Sequence, residues 1–63
     1  MKRMDDYEIL EYTSKYDLER EVIKYVNEKG YELVGGPFYK HEKDDLGRKY
    51  DYICQAVAKY IEN

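Results

Sequence analysis

Tryptophan is absent from this chain, and cysteine, histidine and proline occur once each, as Cys54, His41 and Pro37. Each scarcity excludes something. A lone cysteine allows no disulfide within the chain. With no signal-like apolar run at the N-terminus, it points to a reducing, cytoplasmic setting. A single histidine in the charged segment "HEKDD" cannot build a Ser/His/Asp or Cys/His constellation. Zinc needs three or four ligands in tight geometry, and His41, Glu42, Asp44 and Asp45 do not follow calcium-loop spacing either. No enzymatic activity, metal or cofactor is therefore expected, and this segment reads as a solvated hairpin loop. Apolar runs are only a few residues long, so no membrane span is expected. An excess of basic charge is missing too: 11 basic residues face 14 acidic ones, net −3, with the signs interspersed. A long nucleic acid strand is accordingly not an expected partner.

What remains is small and rich in tyrosine. Sixty-three residues make one domain, and a chain of that length buries only about 60% of the surface its unfolded form exposes. Domains of this size usually need a staple. With disulfides excluded, self-association is the expected source of buried area, and a homo-oligomer is expected. Nine tyrosines and one phenylalanine suit surfaces that are apolar at one end and wet at the other, as interfaces and ligand pockets are.

Periodicity gives the order β-α-β-β. Residues 1–6, "MKRMDD", show no pattern and are expected to form a flexible terminus, with a single domain over 7–63. "YEILEYT" (7–13) reads as a strand whose two faces both carry apolar groups. Ser14 is placed to cap a helix, with Asp17 three residues on as a short-armed capping box. Leu18, Val22 and Val26, flanked by Tyr25, form its apolar stripe, and Glu21 is spaced to pair with Lys24. Gly30 ends the helix, which should run over about 15–29. "YELVGGPFYKHE" is a strand interrupted at its glycines, "KDDLGRK" (43–49) a hairpin loop, and "YDYICQAVAKYIE" (50–62) a third strand. The tail "AVAKYIEN" has some helical propensity as an alternative. The expected fold is a small α+β domain: a three-stranded antiparallel sheet with one helix packed on one face. Either the Tyr/Ala face of strand three or its Ile53/Val57 face is then left uncovered, and such a patch marks an interaction surface.

Several residues are candidate ligand contacts. Gly35 and Gly36 either form a bulge that Pro37 bends, or present backbone N–H groups to an anion. Tyr39, Tyr50 and Tyr52 either pack across strands and subunits or stack on nucleobases. Lys40 and Arg48, with Lys49 nearby, are the cations available to a phosphate. Gln55 places a polar amide in an apolar strand, where it must find partners on a neighbouring backbone or on a ligand. Cys54, with no base or positive field evident near it, reads as a core residue.

The helix bearing Asn27, the run Gly30-Tyr31-Glu32-Leu33-Val34-Gly35-Gly36-Pro37-Phe38, and Tyr52 with Gln55-Ala56-Val57 and Lys59 together resemble one family. The chain is similar, over residues 7–59, to the small phage and bacterial proteins of domain of unknown function 1737. Tyr31 stands where tryptophan is commoner in that pattern. The resemblance implies a β-α-β-β fold and a phage or prophage origin, and it implies no activity. Two functions follow as expectations. One is an oligomer that sequesters a small anionic, nucleotide-derived ligand, as a counter-defence sponge. The other is an inhibitor that docks its exposed sheet on a host protein.

Overall fold

A computed structural model describes residues 1–62. Three strands, β1 (Lys2–Tyr12), β2 (Glu32–Lys43) and β3 (Lys49–Glu62), and one helix, α1 (Lys15–Glu28), follow in the order β1-α1-β2-β3. β3 lies in the middle of the sheet, antiparallel to β1 on one side and to β2 on the other. The two edge strands are therefore parallel to each other and joined by the helix. This is the expected α+β arrangement.

Register decides which face is covered. Glu8 pairs with Val57, Leu10 with Gln55 and Tyr12 with Ile53, so these side chains share one side of the sheet. That side receives α1: Leu10, Leu18 and Val57 are buried together, with Tyr12, Val22, Tyr25, Tyr31 and Ile53 packed around them. The Ile53/Val57 face is thus the core, and the Tyr/Ala face of β3 is the uncovered one.

β1 begins at Lys2, not Tyr7, which corrects the expected flexible terminus over residues 1–6. Lys2, Arg3 and Met4 pair with Glu62, Ile61 and Tyr60, and a bulge at Asp5 then shifts the register by one. Those partners come from the far end of a 14-residue β3, which no local pattern in "MKRMDD" could reveal. The same pairing holds the tail of β3 extended, so its helical alternative does not arise.

The helix keeps its expected length to within a residue but not its cap. Ser14 makes no side-chain hydrogen bond; only its carbonyl accepts, from the Leu18 N–H at 3.1 Å. Asp17 does not turn back to close a capping box but pairs with Arg20. Glu21–Lys24 is not among the ion pairs of the described residues. At the other end Gly30 takes a left-handed φ of 75°, and the Tyr25 carbonyl accepts from both Lys29 and Tyr31. The reversal brings the Tyr31 ring edge-on to Tyr25, centroids 5.0 Å apart, where its hydroxyl donates to Asp6. No described helix is long and apolar enough to cross a membrane.

Candidate functional site

Between Val34 and Phe38 the β2–β3 ladder slips: four steps along β2 match two along β3, from Ala56 to Cys54. Gly35, Gly36 and Pro37 together stand opposite the single residue Gln55, an excess of two. Gly35 has φ 68°, the left-handed conformation that a bulge of this kind assigns to glycine. Nothing lies within 4 Å of where a Cβ would stand on Gly35 or Gly36, so within the chain no group makes a close approach to either. The expected bulge is present.

Gln55 anchors it. Its residue is 5% exposed, and its Nε2 donates to the Ala56 carbonyl at 2.9 Å, the Gly35 carbonyl at 3.1 Å and the Val34 carbonyl at 3.4 Å. The amide thus satisfies backbone acceptors that the slipped ladder would otherwise orphan.

Beside the bulge, α1 leaves part of the sheet bare. A cavity of about 360 Å³ opens there, lined by Lys15, Leu18, Glu19, Val22 and Ile23 from the helix and by Pro37, Ile53 and Gln55 from the sheet. Tyr39 pairs with Ile53 in register and so stands on this same side, 70% exposed. Of the expected contacts Gln55 alone lines this groove; Gly35 and Gly36 lie in the adjoining bulge and Tyr39 on the same face of the sheet.

The other expected contacts lie elsewhere. Lys40, Tyr50 and Tyr52 stand on the uncovered face. The Lys40 ammonium sits 2.9 Å from Glu11 and 2.8 Å from Glu42, 5.8 Å from the centroid of Tyr52. Hydrogen bonds to Glu42 and then Glu11 hold its pKa well above the ordinary lysine value, so Lys40 is a cation already matched by two carboxylates. Arg48 lies in the hairpin turn, its Nε 2.7 Å from Asp44. Asp44 also accepts from the backbone N–H groups of Leu46 and Arg48 and from the Tyr50 hydroxyl. Partial burial alone would raise its pKa, but the bonds from Arg48, Leu46 and Tyr50 outweigh this and leave it lowered. The eight expected contact residues thus form two groups on opposite faces plus one at the hairpin, not one site.

The uncovered face has its own relief. Cys54, Ala56 and Ala58 run down its centre with 0%, 5% and 0% exposure. Their small side chains lie in a trough between Tyr7 and Ile9 of β1, both 48% exposed, and Val34 and Phe38 of β2, the latter 43% exposed. Burial pushes the Cys54 thiol pKa up, and Glu11 adds to this, so the cysteine is buried and weakly ionisable. Ion pairs stand at both ends of the trough, Lys2–Glu32 at 3.8 Å and the Glu11–Lys40–Glu42 cluster. His41 Nδ1 lies 2.6 Å from Asp51 on the other side. Among the described residues no three His, Cys, Asp or Glu side chains come together as a metal site.

Sequence reasoning missed Lys15, Glu19, Ile23 and Pro37 as groove residues. Ile23 did carry a signal: it is a large apolar residue off the Leu18/Val22/Val26 stripe, and it is 58% exposed. No protein-family model, curated protein or solved structure matches this chain.

Proposed function

We propose that this chain is a non-enzymatic accessory protein that assembles through its uncovered sheet face and sequesters a small anionic, nucleotide-derived ligand. The observation that carries the assembly is the trough over Cys54, Ala56 and Ala58, with Tyr7, Ile9 and Phe38 half-exposed beside it. An apolar centre with charged pairs at its ends has the anatomy of a protein interface. The molecule measures 49 × 20 × 16 Å, so its broad face is of the order of the ~800 Å² per partner that a standard interface uses. A second copy is the occupant that also supplies what a domain of this size lacks, further buried apolar area. Ridges of one subunit fit the trough of the next; Lys2–Glu32 is closed one-to-one, and the Glu11–Lys40–Glu42 cluster, with two carboxylates to one ammonium, stays at the rim of the contact.

For the ligand, the support is the groove of about 360 Å³ at the glycine bulge, within the volume range of small-molecule sites. The resemblance to domain of unknown function 1737 supports a phage or prophage setting. There, in the host cytoplasm, a sequestering oligomer acts by removing a defence signal. Native mass spectrometry of the purified protein, before and after a nucleotide panel and host lysate, tests this. The expected result is an oligomer that gains one discrete small mass per site. A monomer at all concentrations that gains no mass refutes it.

The uncovered face also favours a second function, inhibition of a host protein docked on the sheet. Its outcome is distinct: an empty protein that captures one stoichiometric partner through the face bearing Tyr7, Ile9 and Phe38.

A further inference from the structure

The three acceptors around Gln55 Nε2 are all carbonyl oxygens. A carbonyl can only be met by a donor, so this network fixes the NH2 end of the amide against the bulge. The Oε1 end is then fixed as well, pointing away from the bulge. No described residue donates to it, yet no buried side-chain polar atom among the described residues lacks a partner. Oε1 therefore keeps some exposure, and Gln55 is one of the residues that line the groove. A residue about 95% buried thus keeps one acceptor with no protein donor, beside a groove whose lining is apolar apart from Lys15 and Glu19. Such a group discriminates strongly, because a ligand that covers it without donating leaves it unsatisfied.

The groove's second polar feature is at the start of α1. Lys15 lines it and belongs to no ion pair among the described residues; its ammonium stands 5.8 Å from the centroid of Tyr16, a loose contact on an exposed ring that it can leave. The Ser14 side chain leaves the first-turn N–H groups uncapped, so the helix dipole adds to the positive field there. Glu19, one turn further along the same groove, repels an anion and confines it to the Lys15 end. Between these points Leu18, Val22, Ile53 and Pro37 offer only apolar surface.

We infer that the groove between α1 and the β2 bulge is a nucleobase site. An exocyclic amine on the base donates to Gln55 Oε1, the ring lies between the helix and Pro37, and the phosphate reaches Lys15. This rests on the sequestration proposed above and deepens it, because it places the ligand away from Lys40, Tyr50 and Tyr52 and selects amino-bearing bases.

The chain has one glutamine, so its side-chain amide pair is a unique NMR reporter. Titration of 15N-labelled wild-type protein with adenosine monophosphate should shift that pair together with Leu18, Val22 and Ile23. Purine riboside monophosphate, which lacks only the amine, should bind about tenfold more weakly. Lys15→Ala should weaken the monophosphate several-fold and leave adenosine unchanged. Ile23→Trp, at an exposed helix position, should fill the groove and abolish the shifts without loss of fold. Shifts confined to Lys40, Tyr50 and Tyr52, or equal affinity for the two nucleotides, overturn the nucleobase site and leave sequestration standing. A spectrum silent to every nucleotide of the panel overturns both.

Discussion

Gly35 and Gly36 are neighbours in one bulge, but only Gly35 has a backbone that favours glycine. Its φ is 68°, whereas Gly36 has no positive φ. A Cβ at either position meets no heavy atom within 4 Å, so crowding is absent from both and conformation alone decides. An L side chain in the left-handed region costs roughly 1–2 kcal/mol. Replacing glycine by alanine also restricts the unfolded chain, which stabilises the fold by about 0.4–1 kcal/mol where the native conformation is unstrained. Gly35→Ala should therefore destabilise by about 1 kcal/mol or slightly less, while Gly36→Ala should stabilise by about 0.5 kcal/mol. The unfolded-state contribution is common to both, so their difference isolates the left-handed strain. In a domain of this length 1 kcal/mol moves the thermal midpoint by roughly 4–8 °C, well within the precision of calorimetry or circular dichroism. Melts at several protein concentrations separate this from subunit dissociation, which depends on concentration. Equal midpoints for the two variants, or Gly36→Ala the less stable at every concentration, would refute the reasoning.

Two further effects follow from titrating groups. The hydrogen bond to Asp6, with burial assisting, pushes the Tyr31 phenol up to about 12 from an ordinary value of 10.0. A folded pKa above the unfolded one means stability that is complete below pH 10 and lost as pH rises toward 12. Tyr31→Phe should flatten that part of the loss in urea titrations across this window, and an unchanged slope would show that the phenol is not held by Asp6. Asp44 is shifted the other way, below 3.8, so its contribution is present above that pH and fades as acid protonates the folded form. Asp44→Asn should lower the unfolding midpoint at neutral pH and narrow its gap to wild type on acidification through that range. A gap independent of pH would locate the effect of the substitution in turn geometry rather than charge.

Local chemistry made much of this fold legible. Gly30 ended the helix because a left-handed residue was needed there, and Asp44 with Gly47 closed the hairpin because their side-chain and backbone preferences agree. Strand three alternated plainly enough to show two faces, but nothing in it said which face the helix covers. That choice is made by Leu10 and Leu18, which meet Val57 only when β1 and the helix come together. Lys2–Met4 were illegible for the same reason: their partners, Tyr60–Glu62, lie at the opposite end of the chain. Among the candidate contacts, Gln55 was recognisable as a group that must find partners, since a buried amide cannot stay unbonded. Its partners were not, because a two-residue slip in the ladder brings the Val34 and Gly35 carbonyls to it. Lys40 and Arg48 read as free cations, yet carboxylates distant or offset in sequence, Glu11, Glu42 and Asp44, hold both.

Two surfaces that the chain leaves open differ in what they leave unsatisfied, and the roles proposed for them follow from this difference. On the uncovered face the charges are paired at the ends, with one carboxylate in excess at the Lys40 cluster, and the centre is small and apolar, so what is missing over that centre is only cover. A second copy of the same face provides that without needing any new polar contact. The groove at the bulge is the reverse case. Its lining is mostly apolar, but Gln55 with one unbonded carbonyl oxygen, Lys15 and Glu19 belong to it as well, and apolar cover alone would leave these groups unmet. A protein subunit large enough to seal the groove would have to supply a donor at Gln55 and an anion at Lys15. A small molecule carrying an amine at one end and a phosphate at the other supplies both, and within the cavity's volume. Assembly on one side of the sheet and capture on the other can then proceed independently. On this proposal the ligand site of so small a chain is also protected, because the face buried by assembly is not the face that opens for binding.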